Sequence, residues 1–190
     1  YNADFDGDEM NIFVPQSIQT SLELEYIADV TRQIISPAQS KPIIGVVQDG
    51  LLGAFNLTNE KTKIDWKTTM NLLSYTKTDI KLLNKIKKNS TFSGKEIFSN
   101  IIPERVNIKK KKVNIKNGNI INGQLSKDFL GASKKGSIIH NISQEYDRLD
   151  TQKFIDNTQR LVNNFNLWYG FSVGIGDIDI SKKLEQQLFN

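Results

Sequence analysis

The sequence predicts an α+β protein, because apolar stripes at helical spacing and short runs of period-two alternation occupy different stretches of the chain. The clearest helical stripe is Phe154, Ile155, Leu161, Val162, Phe165 and Trp168, which predicts a helix over 151–168 ended by Gly170. The clearest strand signal is Val106 to Ile108, Val113 to Ile115 and Ile120 to Ile121, with the turn dipeptide Asn117-Gly118 between the last two runs. A third observation is chemical. The first residues read NADFDGDEMN, with Asp4, Asp6 and Asp8 alternating around Gly7.

The remaining elements follow in chain order. Asn11 to Val14 reads as a short apolar strand ended by Pro15. Ser17 is placed to cap a helix reaching about Ala28, with Leu22, Leu24, Tyr26 and Ile27 as its apolar residues. The stretch 34–42, IISPAQSKP, has two prolines and small polar residues and reads as a stiff loop. Ile43 to Val47 reads as a buried strand, and Gln48 to Leu57 as a short helix that tolerates Gly50 and Gly53. Asp65 is a cap for a helix patterned on Trp66, Met70 and Leu73, and a second amphipathic helix is expected from Thr78 to Lys87. Ser93 to Ile102 reads as a helix stopped by Pro103, Ser137 to Tyr146 is ambiguous, and Ile180 to Phe189 begins a last helix.

The 190 residues suffice for one ordinary domain or parts of two. Lys and Arg number 25 against 21 Asp and Glu, a formal charge of +4 that permits a polyanionic partner without demanding one. The chain has no Cys, which excludes disulfides, thiolate zinc sites and thiol nucleophiles. It has no signal peptide and no apolar run of membrane length, so a soluble intracellular protein is expected. The chain opens at Tyr1, directly before its densest motif. Functional loops are normally presented by strands on both sides, so the chain reads as a fragment of something larger.

The alternation of Asp4, Asp6 and Asp8 matters because every second side chain of an extended segment points the same way. Three anions converging on one point repel unless a cation sits among them. An all-carboxylate oxygen set suits a hard divalent ion, and one that keeps waters and shares its shell with phosphate is most simply magnesium. An Asp/Gly turn is the plain alternative. A calcium-binding EF-hand loop counted from Asp4 fails, since Glu9 stands at the glycine position and Pro15 at the position of the bidentate Glu.

Other candidates read more plainly. The run Lys109 to Lys112 could hold phosphates, but reads first as a solvated hairpin edge that discourages aggregation. His140, the single histidine, has no Cys or second His beside it and reads as structural. Phe165, Trp168, Tyr169 and Phe171 could stack on bases, but their helical spacing indicates core. The glycines of GFSVGIGD lack the spacing and the Lys of a phosphate-binding loop.

NADFDGDEMN followed by VPQS, then SPAQSKP, IIGVVQDGLLGAF and GFSVGIGD, in that order, closely resemble the largest subunit of multisubunit DNA-dependent RNA polymerases. The resemblance covers the whole chain, and the VPQS and GFSVGIGD wording is similar to the eukaryotic, archaeal or large-DNA-virus type. It implies that residues 1–15 close a catalytic double-psi β-barrel, that 16–165 form a mixed helical and β pore domain, and that 166–190 begin a helical funnel domain. Asp4, Asp6 and Asp8 match the family's catalytic aspartates, which hold a resident Mg²⁺, while a second Mg²⁺ arrives with the nucleoside triphosphate. Asn2 matches a residue beside the ribose of the incoming nucleotide. SPAQSKP, Gln48 and Asp49 match segments near the pore and active centre, with no chemical role assigned. Phe13 stands where the family often has His, and Gly50 where it often has Thr; neither is a metal ligand.

The resemblance further implies a nucleotidyltransferase in which the RNA 3′-hydroxyl attacks the α-phosphate of a triphosphate and expels pyrophosphate. The implied partners are the second-largest polymerase subunit, other polymerase subunits, template DNA, product RNA and nucleoside triphosphates, with no membrane. The expected compartment is the nucleus, or the cytoplasm or virion if the chain is viral. The chain alone is expected to be inactive and poorly stable, since the remaining site parts lie outside it. Two rivals stand beside this reading. A two-barrel RNA-dependent RNA polymerase shares an aspartate triad but not SPAQSKP and GFSVGIGD, and a noncatalytic nucleic-acid-binding or assembly module would keep an idle cluster of like charges at a cost in stability.

Overall fold

The computed structural model of the chain describes residues 3, 6–77, 90–110 and 112–178. Its axis is a long helix, Arg148–Tyr169, opened by the Asp147 carboxylate, which accepts the Asp150 N–H at 2.8 Å, and closed by Gly170 at φ 70°. Phe154, Leu161, Val162 and Phe165 are buried along one face of this helix, as its stripe predicts. The exceptions lie at its end. Trp168, Tyr169 and Phe171 are 56%, 53% and 63% exposed, and Tyr169 only stacks on Phe165 at 5.0 Å between ring centroids. The expectation that all four aromatics are core is therefore corrected: the helix outruns the layer that covers it.

Numbered in chain order, the helices are α1 (Ile18–Glu23), α2 (Gln48–Leu57), α3 (Trp66–Ser74), α4 (Gly94–Ser99), α5 (Lys127–Leu130), α6 (Ile138–Glu145) and α7 (Arg148–Tyr169). α2 packs along α7 through the face that carries Gly50, Gly53, Ala54 and Leu57, and α6 and α3 also rest on α7. Each start has a local cause. Asp65 accepts the N–H groups of Lys67 and Thr68 at 3.0 and 3.3 Å at the head of α3, and Ser93 with Glu96 forms a capping box on α4. The ambiguous stretch 137–146 is helical because the Ser137 hydroxyl accepts the His140 N–H at 3.2 Å and Ile138, Ile139 and Ile142 are buried together.

The strands form three small antiparallel groups: β1 (Ile35–Ser36) with β2 (Lys41–Pro42), β3 (Lys63–Asp65) with β4 (Thr91–Ser93), and β5 (Ile108–Lys110), β6 (Val113–Lys116) and β7 (Asn119–Asn122) in that order. Asn117 and Gly118, at φ 49° and 71°, make the tight β6–β7 turn that their dipeptide predicts. In register, Ile108, Ile115 and Ile120 form a buried row, while Lys109, Asn114 and Asn122 form the neighbouring row. The burial alternates as a half-covered sheet requires.

Three expectations for the first third of the chain are corrected. Residues 11–14 make no strand, and Ile12 is 93% exposed. The helix capped by Ser17 changes to a π-helical turn over Leu24–Ala28 and buries no side chain. The 43–47 run is also not a strand: only Val46 is buried, because the segment pairs with the end of α5 instead, Val46 N–H donating to Leu130 O at 2.9 Å. Within IISPAQSKP the loop closes as the β1–β2 hairpin, with Ser40 at φ 45°. The helices expected at 78–87 and 180–189 lie outside the described residues. Among the described residues no helix is long and apolar enough to cross a membrane.

Candidate metal loop and the cleft beside it

The acidic loop is described in part: Asp6, Gly7 and Asp8 are exposed, whereas Asn2 and Asp4 lie outside the described residues. Gly7 has φ 120°, a backbone region closed to side chains, so the turn between the two carboxylates requires glycine for conformation and not for space. Ala3 and Asp6 border a cleft of about 1070 Å³ whose other walls come from distant parts of the chain. Val46, Val47, Gln48 and Leu51 form one wall, and Lys127 with Ser133 and Lys134 forms another.

The walls are held by backbone contacts between two loops. Besides the Val46–Leu130 bond, Ser133 N–H donates to Pro42 O at 2.7 Å. Gln48, the first residue of α2, sits in the left-handed region at φ 46°, and Ser133 does so at φ 61°. Both residues line the cleft. SPAQSKP thus supplies a structural strut through Pro42. Asp49 contributes its carbonyl oxygen to Asn166 Nδ2 at 2.9 Å, a bond between α2 and α7.

Two exposed carboxylates flanking a glycine suit a hard, oxygen-seeking cation and offer nothing to a soft metal. Among the described residues no group of three or more His, Cys, Asp or Glu converges, and Asp4, the third expected ligand, lies outside them. Among the described residues, two carboxylates outside the loop are held below their ordinary pKa. Asp29 is lowered chiefly by the Thr31 hydroxyl, with Arg148 and Arg32 assisting, and Asp65 chiefly by hydrogen bonding from Thr68. Both serve local structure. His140 is buried and its Nδ1 accepts the Gly136 N–H at 3.0 Å, the structural part expected of it.

Lys127 and Lys134 are the cleft residues that sequence reasoning missed. Lys134 also pairs with Asp128 at 3.5 Å. They lie on either side of Gly131 in a stretch of mixed polar residues with no motif spacing, and only the pairing of residues 42–46 with 130–133 carries them to the cleft that Asp6 borders.

Family comparison places the chain. A family model described as RNA polymerase Rpb1, domain 3, matches residues 33–178, and one described as RNA polymerase Rpb1, domain 2, matches residues 1–30. The chain belongs to the RNA polymerase Rpb1 family, that of the largest subunit. It is 42% identical over 196 residues to DNA-directed RNA polymerase subunit 1 of Acanthamoeba polyphaga mimivirus, spanning 100% of this chain and 13% of that relative. It is 36% identical over 190 residues to the DNA-directed RNA polymerase II subunits RPB1-B and RPB1-A of Trypanosoma brucei brucei, spanning 93% of this chain and 11% of each. The chain therefore covers about an eighth or less of the length of these Rpb1 relatives. In Rpb1 terms the cleft is a junction: Asp6 belongs to the domain 2 match, and the walls at 46–51 and 127–134 belong to the domain 3 match.

Proposed function

We propose that this chain is part of the catalytic largest subunit of a DNA-directed RNA polymerase, and that Asp4, Asp6 and Asp8 hold the Mg²⁺ used in template-directed RNA synthesis. The observation that carries the reading is the exposed Asp6-Gly7-Asp8 loop at the border of a cleft, within a chain that aligns along its whole length with a DNA-directed RNA polymerase subunit. The three carboxylates would hold the ion, which would supply Lewis-acid chemistry toward the RNA 3′-hydroxyl and the α-phosphate, and a second Mg²⁺ would come with the triphosphate.

The chain's own residues do the rest of the work in this proposal. Asp4, Asp6 and Asp8 supply negative charge from a loop whose shape depends on Gly7. Asn2 lies beside the incoming ribose and favours ribonucleotides. Lys127 places positive charge in the lining of the cleft that Asp6 borders, with Lys134, whose ammonium pairs with Asp128 at 3.5 Å, beside it, which raises the local concentration of an anionic substrate. Residues 1–15 are assigned to the end of a double-psi barrel, 16–165 to a pore domain and 166–190 to the start of a funnel domain. The partners are the second-largest subunit, the other polymerase subunits, DNA, RNA and nucleoside triphosphates, in the nucleus or, for a viral enzyme, the cytoplasm or virion. The RNA-dependent polymerase reading is not favoured, because both family models are of Rpb1.

The test is Asp6→Ala in the complete polymerase. Assembly should survive and RNA extension should be abolished; normal elongation by this variant would refute the metal role.

A further inference from the structure

A second cleft of about 970 Å³, sharing no lining residue with the Asp6 cleft, is bordered by Phe55, Lys61, Lys109, Lys112, Asn114 and Asn122. Nothing in the polymerase reading uses it. The cross-strand row Lys109, Asn114, Asn122 contributes to its lining, with Lys112 from the β5–β6 turn and Lys61 from the loop before β3. The two rim carboxylates already have cations, Glu60 pairing with Lys95 at 3.2 Å and Asp128 with Lys134 at 3.5 Å. Lys61, Lys109 and Lys112 have no such partner among the described residues, so the cleft carries a surplus of positive charge. It also carries a surplus of donors. Asn59 and Asn122, both in its lining, spend their side-chain carbonyls on the N–H groups of Lys61 and Gly123, at 2.9 and 2.8 Å, so that what each amide has left to offer a ligand is its N–H₂ donor. Phe55, 42% exposed, adds an aromatic ring at the edge.

We propose that this cleft binds a single-stranded nucleic acid, its phosphates on Lys61, Lys109 and Lys112, its base edges on the asparagine amides and one base on Phe55. Clustered lysines alone would take any polyanion. The ring and the amide donors favour nucleotides over an acidic peptide, because each nucleotide brings a phosphate, a flat face and carbonyl acceptors in one repeating unit. A duplex keeps its base faces stacked away from such a ring, so the ligand is single-stranded.

The complete polymerase has other nucleic-acid contacts, so the test reads this cleft locally. Phe55→p-benzoylphenylalanine is incorporated into the full enzyme and photolysed with end-labelled RNA and DNA 12-mers and a 12-base-pair duplex. Cross-linking of the single strands well above the duplex is expected, and the ratio of the RNA to the DNA arm tells which strand is held. Adding Lys109→Gln and Lys112→Gln should lower the yield about tenfold and reduce the slope of log yield against log salt by roughly 1.4, about 0.7 for each lost phosphate contact. Lys61→Gln, on a separate element, should act in the same direction if the sheet variants disturb assembly. RNA extension on a preassembled scaffold should stay unchanged. Absence of single-strand cross-links, a yield indifferent to the lysine changes, or displacement by polyglutamate at equal charge concentration would each overturn the assignment, the last in favour of an acidic protein segment.

Discussion

Gly45 lies against the backbone of Ala132 so closely that a methyl group on it would come within 2.3 Å of the Ala132 nitrogen. This contact, with the Val46–Leu130 and Ser133–Pro42 hydrogen bonds beside it, fixes two walls of the cleft bordered by Asp6. Neither side can yield by rotating a side chain, because the obstructing atoms are main chain.

Gly45→Ala is therefore expected to force the 42–46 and 130–133 segments apart. Overpacking of this kind costs about 1–3 kcal/mol. In the complete enzyme the Val46 and Ser133 amides should exchange with solvent faster, and RNA extension should slow although no carboxylate has been touched. Unchanged exchange at both amides would show that the contact is not constraining.

A second prediction concerns Thr58, fully buried at the end of α2. Its Oγ1 donates to Ala54 O at 2.7 Å and accepts the buried Leu125 N–H at 2.9 Å, tying α2 to the segment that enters α5. Thr58→Val keeps the shape and strands the Leu125 N–H, at a cost of about 1–3 kcal/mol. Thr58→Ser should retain most of the stability. Chemical denaturation that ranks serine with valine would contradict this account.

These contacts mark what the sequence could and could not disclose. Asp65, Ser93, Ser137 and the Asn117-Gly118 turn act on neighbours within a few residues, so their effects are written locally, and the α7 stripe is long enough to declare its face. The failed strands at 11–14 and 43–47 are apolar runs whose fate depends on distant partners: Ile12 has no strand beside it among the described residues, and Val46 is claimed by Leu130. The acidic loop is legible as candidate chemistry because its carboxylates are near neighbours in the sequence itself. Lys127 and Lys134 reach the same cleft only through tertiary pairing, which leaves no periodic trace in the sequence.

Asp65 gives a prediction with a pH sign. Hydrogen bonding from Thr68, side chain first and then backbone, with help from the Lys67 N–H, holds its pKa below the ordinary 3.8. A carboxylate whose folded pKa is depressed stabilises the fold fully above the unfolded value and loses that contribution as pH falls through the folded value. Stability of wild type should therefore decline below about pH 4 more steeply than that of Asp65→Asn, as read by urea midpoints across pH 2.5–6. Parallel pH profiles would remove Asp65 from the explanation.

The apolar side chains of the first third predict how the 190-residue chain behaves by itself. Ile12, Phe13, Val14 and Ile18 are 93%, 66%, 65% and 77% exposed within a few residues of one another, more clustered apolar surface than a soluble monomer ordinarily shows. The isolated chain should bind a hydrophobic dye and self-associate, and Ile12→Ser with Phe13→Ser should reduce both. A sharply monomeric wild-type chain by sedimentation would count against it.

The proposed metal loop allows a test whose first readout does not depend on catalysis. If Asp4, Asp6 and Asp8 hold a hard divalent ion, Fe²⁺ exchanged for Mg²⁺ in the complete enzyme should occupy the same carboxylates, and with peroxide it should cut the backbone locally by hydroxyl radicals. Cleavage should centre on residues 4–8 and extend to wall residues near Val47 and Gln48, which share the cleft with Asp6. Asp8→Asn removes one charge while keeping size, so it should weaken cleavage and raise the Mg²⁺ concentration needed for half-maximal RNA extension by about tenfold or more, since hard cations depend on ligand charge count. Cleavage of equal strength and position in Asp8→Asn would mean that the ion is held by other groups, and the loop would then be a turn that happens to be acidic.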